Sequence, residues 1–216
     1  MASTDELIGK LTSGLTPVTR LARPGFRALG PIALASALIA LLVLLRGFRA
    51  DLGLRLAEPS YLLQLSGAWL TGAAATLAAF ETSLADRSRA WLLLPLPPLV
   101  LWLSGFGWTC LVHWIEIPSG APIASDSLRC LETILLASIP LAFVLWRMLA
   151  RSRPLAPVPV AWAGALAVAA FADSAHLLIH VVQASALVLV INLIPAAVII
   201  ALGGLFGRRG LASAAA

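Results

Sequence analysis

The chain has 216 residues, 60% of them apolar and only 12% charged, with a mean hydropathy of +0.96 and a formal charge of +5. Soluble globular domains use about 45–50% apolar and about 25% charged residues, so these values exclude that class and indicate a polytopic membrane protein. The length allows one bundle with short loops and no sizeable soluble domain, the positive charge is almost all arginine, and two cysteines are too few for a disulfide scaffold.

The chain begins with its most water-compatible stretch, STDELIGKLTSGL. Ser3 and Glu6 fit the S-x-x-E capping box, and Asp5 and Glu6 suit the positive end of a helix dipole. Leu7, Ile8, Leu11 and Leu15 then recur at helical spacing, and Gly14 and Pro17 punctuate the end. The pattern predicts a short amphipathic helix, and a helix of about ten residues is marginal alone in water. Its leucines therefore need cover. A membrane surface is one candidate, although such helices usually carry Lys and Arg on the polar face. A protein groove that reads i, i+3, i+4 and i+7 anchors is the other. The TPVTRLARPGFR that follows is basic and broken by prolines, suited to inner headgroups or an acidic partner surface.

A span needs roughly 20 mainly apolar residues to cross about 30 Å of hydrocarbon. Six windows meet this: 29–45, 61–82, 90–113, 128–149, 158–179 and 184–206. The expected fold is thus an all-α polytopic bundle of six transmembrane helices behind a short cytoplasmic N-terminal helix. With the N-terminus inside, Lys10, Arg20, Arg23, Arg27, Arg87, Arg89, Arg147, Arg151, Arg153, Arg208 and Arg209 are cytoplasmic, against Arg46, Arg49, Arg55 and Arg129 outside. Short-loop basic residues favour the inner side, so both termini are expected in the cytoplasm. The domain plan is 1–27 as a cytoplasmic segment, 28–207 as the membrane domain and 208–216 as a cytoplasmic tail. Trp91 and Trp146 fall near the inner boundary and Tyr61, Trp108 and Trp114 near the outer one, the depths amphipathic rings prefer.

Gly67, Thr71, Ala75 and Ala79 form a small-residue stripe on the second span, and Ala161, Ala165 and Ala169 another on the fifth. Such stripes let helices approach closely in lipid. Pro95, Pro97 and Pro98 make the start of the third span irregular, and Pro140 and Pro195 are candidate kinks in the fourth and sixth. Ionisable groups are sparse: Glu81, Glu132 and Asp173 lie towards span ends, and Asn192 near mid-membrane suits an interhelical hydrogen bond. No phosphate loop, nucleotide fingerprint, HExxH or GxSxG is present. No catalytic residues and no cofactor are expected, and no direct contact with nucleic acid.

All three histidines and both cysteines fall towards the outer rim. Cys110, His113 and Glu116 share one helical face, Cys130 lies one turn into the next span, and Asp173, His176 and His180 share a face on the fifth. Three readings are open: a Cys110–Cys130 disulfide or thiol switch in an oxidising compartment, a soft-metal site built of thiolates and imidazoles, or ordinary packing of small hydrophobes and interfacial rings.

The DELIGKL…TPVTRLARP start, the six spans and the SLRCL that opens the fourth resemble the NrsF-type negative regulators of sigma F across residues 4–209. The resemblance implies an integral-membrane anti-sigma factor of the bacterial inner membrane. Its cytoplasmic segment would hold an extracytoplasmic-function sigma factor and release it when periplasmic cysteines meet a metal or oxidant signal. It makes Asp5, Leu7, Ile8, Leu11, Pro17, Val18, Arg20 and Leu21 the sigma contacts. It also makes Cys110, Cys130, His113, His176 and His180 the sensing candidates. A second cysteine would be expected beside His180, where this chain has Val181. The alternative reading is a small transporter or channel-like protein whose N-terminal helix lies on the lipid bilayer.

Overall fold

The computed structural model describes residues 4–13, 22–112 and 123–179, and leaves out the side chains at 11, 106, 108–112 and 123–131. Ser3, the predicted sixth span at 184–206 with Asn192 and Pro195, and the tail at 208–216 lie outside the described residues. The described elements are helical: α1 (Thr4–Thr12), α2 (Pro24–Arg46), the short α3 (Leu52–Arg55), α4 (Pro59–Thr82), a 3-10 helix (Arg89–Leu93), α5 (Leu96–Val112), α6 (Ile123–Ala150) and α7 (Pro157–Ile179). Four are long and apolar enough to cross a membrane: Pro24–Arg46, Pro59–Thr82, Glu132–Ala150 and Pro157–Ile179.

The long helices alternate in direction. Arg27 at the start of α2 reaches Met148 and Ser152 at the end of α6, whereas Arg46 at the end of α2 reaches Glu132. The two ends of the bundle are therefore distinct. One carries α3, and the other carries the 3-10 helix and the α6–α7 turn.

α7 is the central helix, packed by α2, α4 and α6. Its composition explains why it can be. Ala161, Ala163, Gly164, Ala165, Ala167, Ala169, Ala170, Ala172 and Ala175 put small groups on every face, and all are buried. In lipid, apolar side chains gain little by leaving their surroundings, so close backbone approach supplies the packing energy. α2 is built the opposite way, with Leu41, Leu44 and Leu45 turned outward. The small-residue stripe on α4 is buried throughout, Gly67, Thr71, Ala75 and Ala79 included. Thr71 and Thr76 donate to the carbonyls of Gly67 and Gly72 one turn back, which satisfies their hydroxyls inside the apolar core.

α5 lies against α4 through two glycines. A Cβ on Gly67 would stand 2.5 Å from the Trp102 backbone nitrogen, and one on Gly105 would stand 2.8 Å from Gln64. The irregularity expected at Pro95, Pro97 and Pro98 is present. The chain runs as a 3-10 helix to Leu93, capped by the Ser88 hydroxyl accepting from the Ala90 amide, and α5 starts afresh at Leu96. Pro97 and Pro98 thus fall in the first turn, where a missing N–H forfeits no helical bond. α5 has 17 residues, about 26 Å at 1.5 Å per residue. Pro140 lies inside α6, which continues as one helix.

Gly67→Ala is expected to lower thermal stability in detergent by about 1–3 kcal/mol, because the α4 and α5 backbones must part. Gly107→Ala, with nothing within 4 Å of the added carbon, is expected to be neutral or stabilising by up to about 1 kcal/mol.

Candidate functional site

Two regions hold most of the described residues singled out from the sequence: α1, and the end of the bundle that carries α3. Asp5 and Glu6 occupy the first turn of α1 and Lys10 the last, each complementing the helix dipole. The C-terminal carbonyls are taken up locally. The Ser13 amide donates to Gly9, the Thr12 hydroxyl to Ile8 at 2.8 Å and the Ser13 hydroxyl to Lys10. The chain therefore builds this helix from its own polar residues. Leu7 and Ile8 are 54% and 53% exposed, and Asp5 is exposed beside them. Leu11 falls within α1, and Pro17, Val18, Arg20 and Leu21 lie outside the described residues.

At the α3 end, the loop after α2 folds inward over the last turn of α7. The Arg49 amide donates to the Leu178 carbonyl, and the Tyr61 hydroxyl donates to the Leu177 carbonyl at 2.9 Å. Arg49 is a buried cation at this end of the bundle. Its side chain is 4% exposed, its guanidinium lies 5.5 Å from the centre of the Tyr61 ring, and it grips Asp51 with two hydrogen bonds. Arg55 bridges Asp51 and Glu58 in turn. The hydrogen bond from Arg49, with Arg55 adding to it against partial burial, holds the Asp51 carboxyl down from 3.8 to about 2.

Deeper on the same side, the Trp102 indole N–H donates to Asp173 Oδ2 at 2.9 Å, and both residues are buried. This bond ties α5 to the central helix beside a small core of Ala68, Trp102 and Ala170. His176, one turn further along α7, is also buried. Cys110 falls in the last turns of α5 and Cys130 in the first turns of α6, while His113 and His180 lie outside the described residues. Among the described residues no three His, Cys, Asp or Glu side chains gather as a metal site.

Sequence reasoning grouped Asp173 with the two histidines of its own helix and missed its partner on α5. It also set Arg46, Arg49 and Arg55 outside, tempered by Asp51 and Glu58, and the structure pairs Arg49 with Asp51, Arg55 with Asp51 and Glu58, and Arg46 with Glu132. Asp51 and Glu58 are legible because they interleave with the arginines in RADLGLRLAE, whereas Glu132 comes from another helix, 86 positions away from Arg46.

These features define an all-helical bundle with several spans compatible with membrane insertion, a helix exposing two large aliphatic side chains, and an ion-paired rim. The family model for NrsF, the negative regulator of sigma F, matches residues 11–212, and the chain belongs to that family. The family name makes it a negative regulator of a sigma factor, with a sigma factor as partner. Comparison with curated proteins and with solved structures found no match.

Asp51→Asn is expected to lower stability by about 1–3 kcal/mol at neutral pH, by weakening the charge-assisted bonds that hold Arg49. Because the folded carboxyl titrates at about 2 rather than 3.8, its contribution is complete above about pH 4 and lost as pH falls from 4 towards 2. Melting temperature in detergent should fall over that window, and less steeply in Asp51→Asn. Trp102→Phe is expected to cost about 1–3 kcal/mol by taking the donor from a buried carboxyl, and Asp173→Leu added to it should recover part of the loss.

Proposed function

We propose that the chain is a membrane-anchored anti-sigma factor. It holds an extracytoplasmic-function sigma factor through the segment 1–27 and keeps it from RNA polymerase at the inner membrane face. The observation that carries this reading is the exposure of Leu7 and Ile8 on the short helix α1 in a chain of the sigma-regulator family. An aliphatic stripe on a nine-residue helix gains stability once a partner groove covers it. Asp5, Leu7, Ile8, Leu11, Pro17, Val18, Arg20 and Leu21 are the proposed contacts. Residues 28–207 anchor the segment and 208–216 form a tail on the same side. No catalytic step is involved.

The charge arrangement supports placing α1 and both termini in the cytoplasm of a bacterial inner membrane. Described arginines at the α3 end are matched by acids, whereas Arg23, Arg89, Arg147, Arg151 and Arg153 at the opposite end are exposed. Net positive charge marks the inner side. The α3 end then faces the periplasm. A metal or oxidant acting there on Cys110, Cys130, His113, His176 and His180 would repack the helix ends and lower affinity for the sigma factor. The effect is limited by the signal's differential binding to the two states; about 1.4 kcal/mol changes affinity tenfold.

Leu7→Asp and Leu11→Asp are expected to abolish co-purification of the sigma factor while membrane insertion is retained. Retention of the sigma factor by both variants, in affinity capture from solubilised membranes, would refute the contact assignment.

A further inference from the structure

The α6–α7 turn concentrates positive charge without acids to match it. Arg147, Arg151 and Arg153 fall within seven residues, all exposed, and no ion pair involving them occurs among the described residues. A fourth arginine is brought to the same turn from another helix: Arg27 Nη2 donates to the Met148 carbonyl at 3.0 Å and to Ser152 Oγ at 2.6 Å. Its guanidinium also lies 5.1 Å from the centre of the Phe80 ring, on α4. Like charges gathered in this way repel unless anions sit among them.

The turn is also strained. Arg153 has φ +46, a left-handed conformation that glycine adopts without cost and that bulky residues seldom occupy. Its amide donates to the Ala150 carbonyl and that of Ser152 to Leu149, so the conformation belongs to the closure of α6. A long cationic side chain thus occupies a position where a helix end favours glycine, which points from backbone strain to function.

The surroundings specify the ligand. Arg147 follows Trp146, which is 40% exposed and pairs with Phe143, 60% exposed, at 6.3 Å between ring centres. Both rings lie within the apolar stretch Glu132–Ala150. An exposed tryptophan takes the boundary between acyl chains and headgroups, so the arginines just beyond Trp146 lie at headgroup depth. We propose that the α6–α7 turn, braced by Arg27, is a binding site for the phosphate headgroup of an anionic phospholipid. Arg147, Arg151 and Arg153 supply the phosphate contacts, and Trp146 and Phe143 lie beside the acyl chains. Basic pockets between helices on the inner side are a recurrent way to hold such headgroups. The proposal rests on the bilayer reading and not on the identity of the sigma factor.

The test uses the full chain purified in a neutral detergent and titrated with phosphatidylglycerol, phosphatidylcholine or inorganic phosphate while thermal unfolding is followed. Phosphatidylglycerol is expected to raise the midpoint; phosphatidylcholine and inorganic phosphate at equal phosphorus are not. Arg151→Gln/Arg153→Gln should weaken the response about thirtyfold in lipid concentration, because two cations no longer face the headgroup. Arg46→Gln, at the other end of the bundle, should keep it. Arg153→Gly separates function from folding. Relief of the left-handed strain should raise the lipid-free midpoint by about 2–4 °C, while the lipid response falls. An equal response to phosphatidylcholine, or an unchanged one in the double glutamine variant, overturns the proposal. So does a midpoint rise with inorganic phosphate alone, which would make this a free-anion site. A loss of sigma-factor capture with the lipid response intact would assign the surface to the protein partner and also overturn it.

Discussion

Close approach of helix backbones is what the rest of this structure depends on. Four of the helices are long and apolar enough to cross a membrane, and in a bilayer packing comes from surfaces that fit at short range. α7 meets that demand with alanine or glycine on every side, and α4 with a stripe that includes Gly67 and Gly72. Gly67 and Gly105 then bring α5 so near α4 that a single methyl group would collide with backbone. The larger core side chains are few, and Phe171 against Gly72 shows how a ring is accommodated where its neighbour has no Cβ. A bundle held in this way is sensitive to small shifts of its helix ends, because no layer of flexible side chains absorbs them.

Polar groups are arranged around that apolar frame so that the two ends differ. At the α3 end the described cations Arg46, Arg49 and Arg55 are ion-paired: Arg49 bonds the Leu178 carbonyl of α7 while gripping Asp51, and Arg46 reaches Glu132. The loop between α2 and α4 is thereby fastened to the central helix, and the ionic contacts leave little net charge. At the other end Arg27 bonds the α6–α7 turn and Arg87 pairs with Glu81, while Arg23, Arg89, Arg147, Arg151 and Arg153 are exposed. Between them, the Trp102–Asp173 bond lets α5 report on the position of α7 in addition to that of α4. A perturbation near the ends of α5 or α6, where Cys110 and Cys130 fall, acts on helices fastened to the same central element.

The sigma-regulator role suits such a scaffold. Under the proposed function, the chain presents a short recognition helix at a fixed surface and alters its availability through modest packing changes. α1 requires little from the bundle to be helical, since its acidic start, basic end and hydroxyl-bonded C-terminus are local. Leu7 and Ile8 are left exposed on it.

Much of this organisation was legible in the chain. The apolar windows located α2, α4, α6 and α7, the small-residue stripes marked buried faces, the proline cluster marked the broken entry to α5, and the acidic start with its Leu-Ile pair marked α1. These features are encoded locally, by hydropathy, side-chain size and backbone chemistry, and so survive in one dimension. The partners were not legible. Nothing local says that Asp173 meets Trp102, that Arg49 folds back onto the end of α7, or that Arg27 crosses to the α6–α7 turn. Those contacts join residues 71, 129 and 125 positions apart, and they depend on which helices become neighbours and in what direction. The sequence by itself determined an apolar helical bundle preceded by a short polar helix. Only the tertiary structure decided which charges are neutralised and which remain outward, because ion pairing depends on distances between helices that no periodicity records.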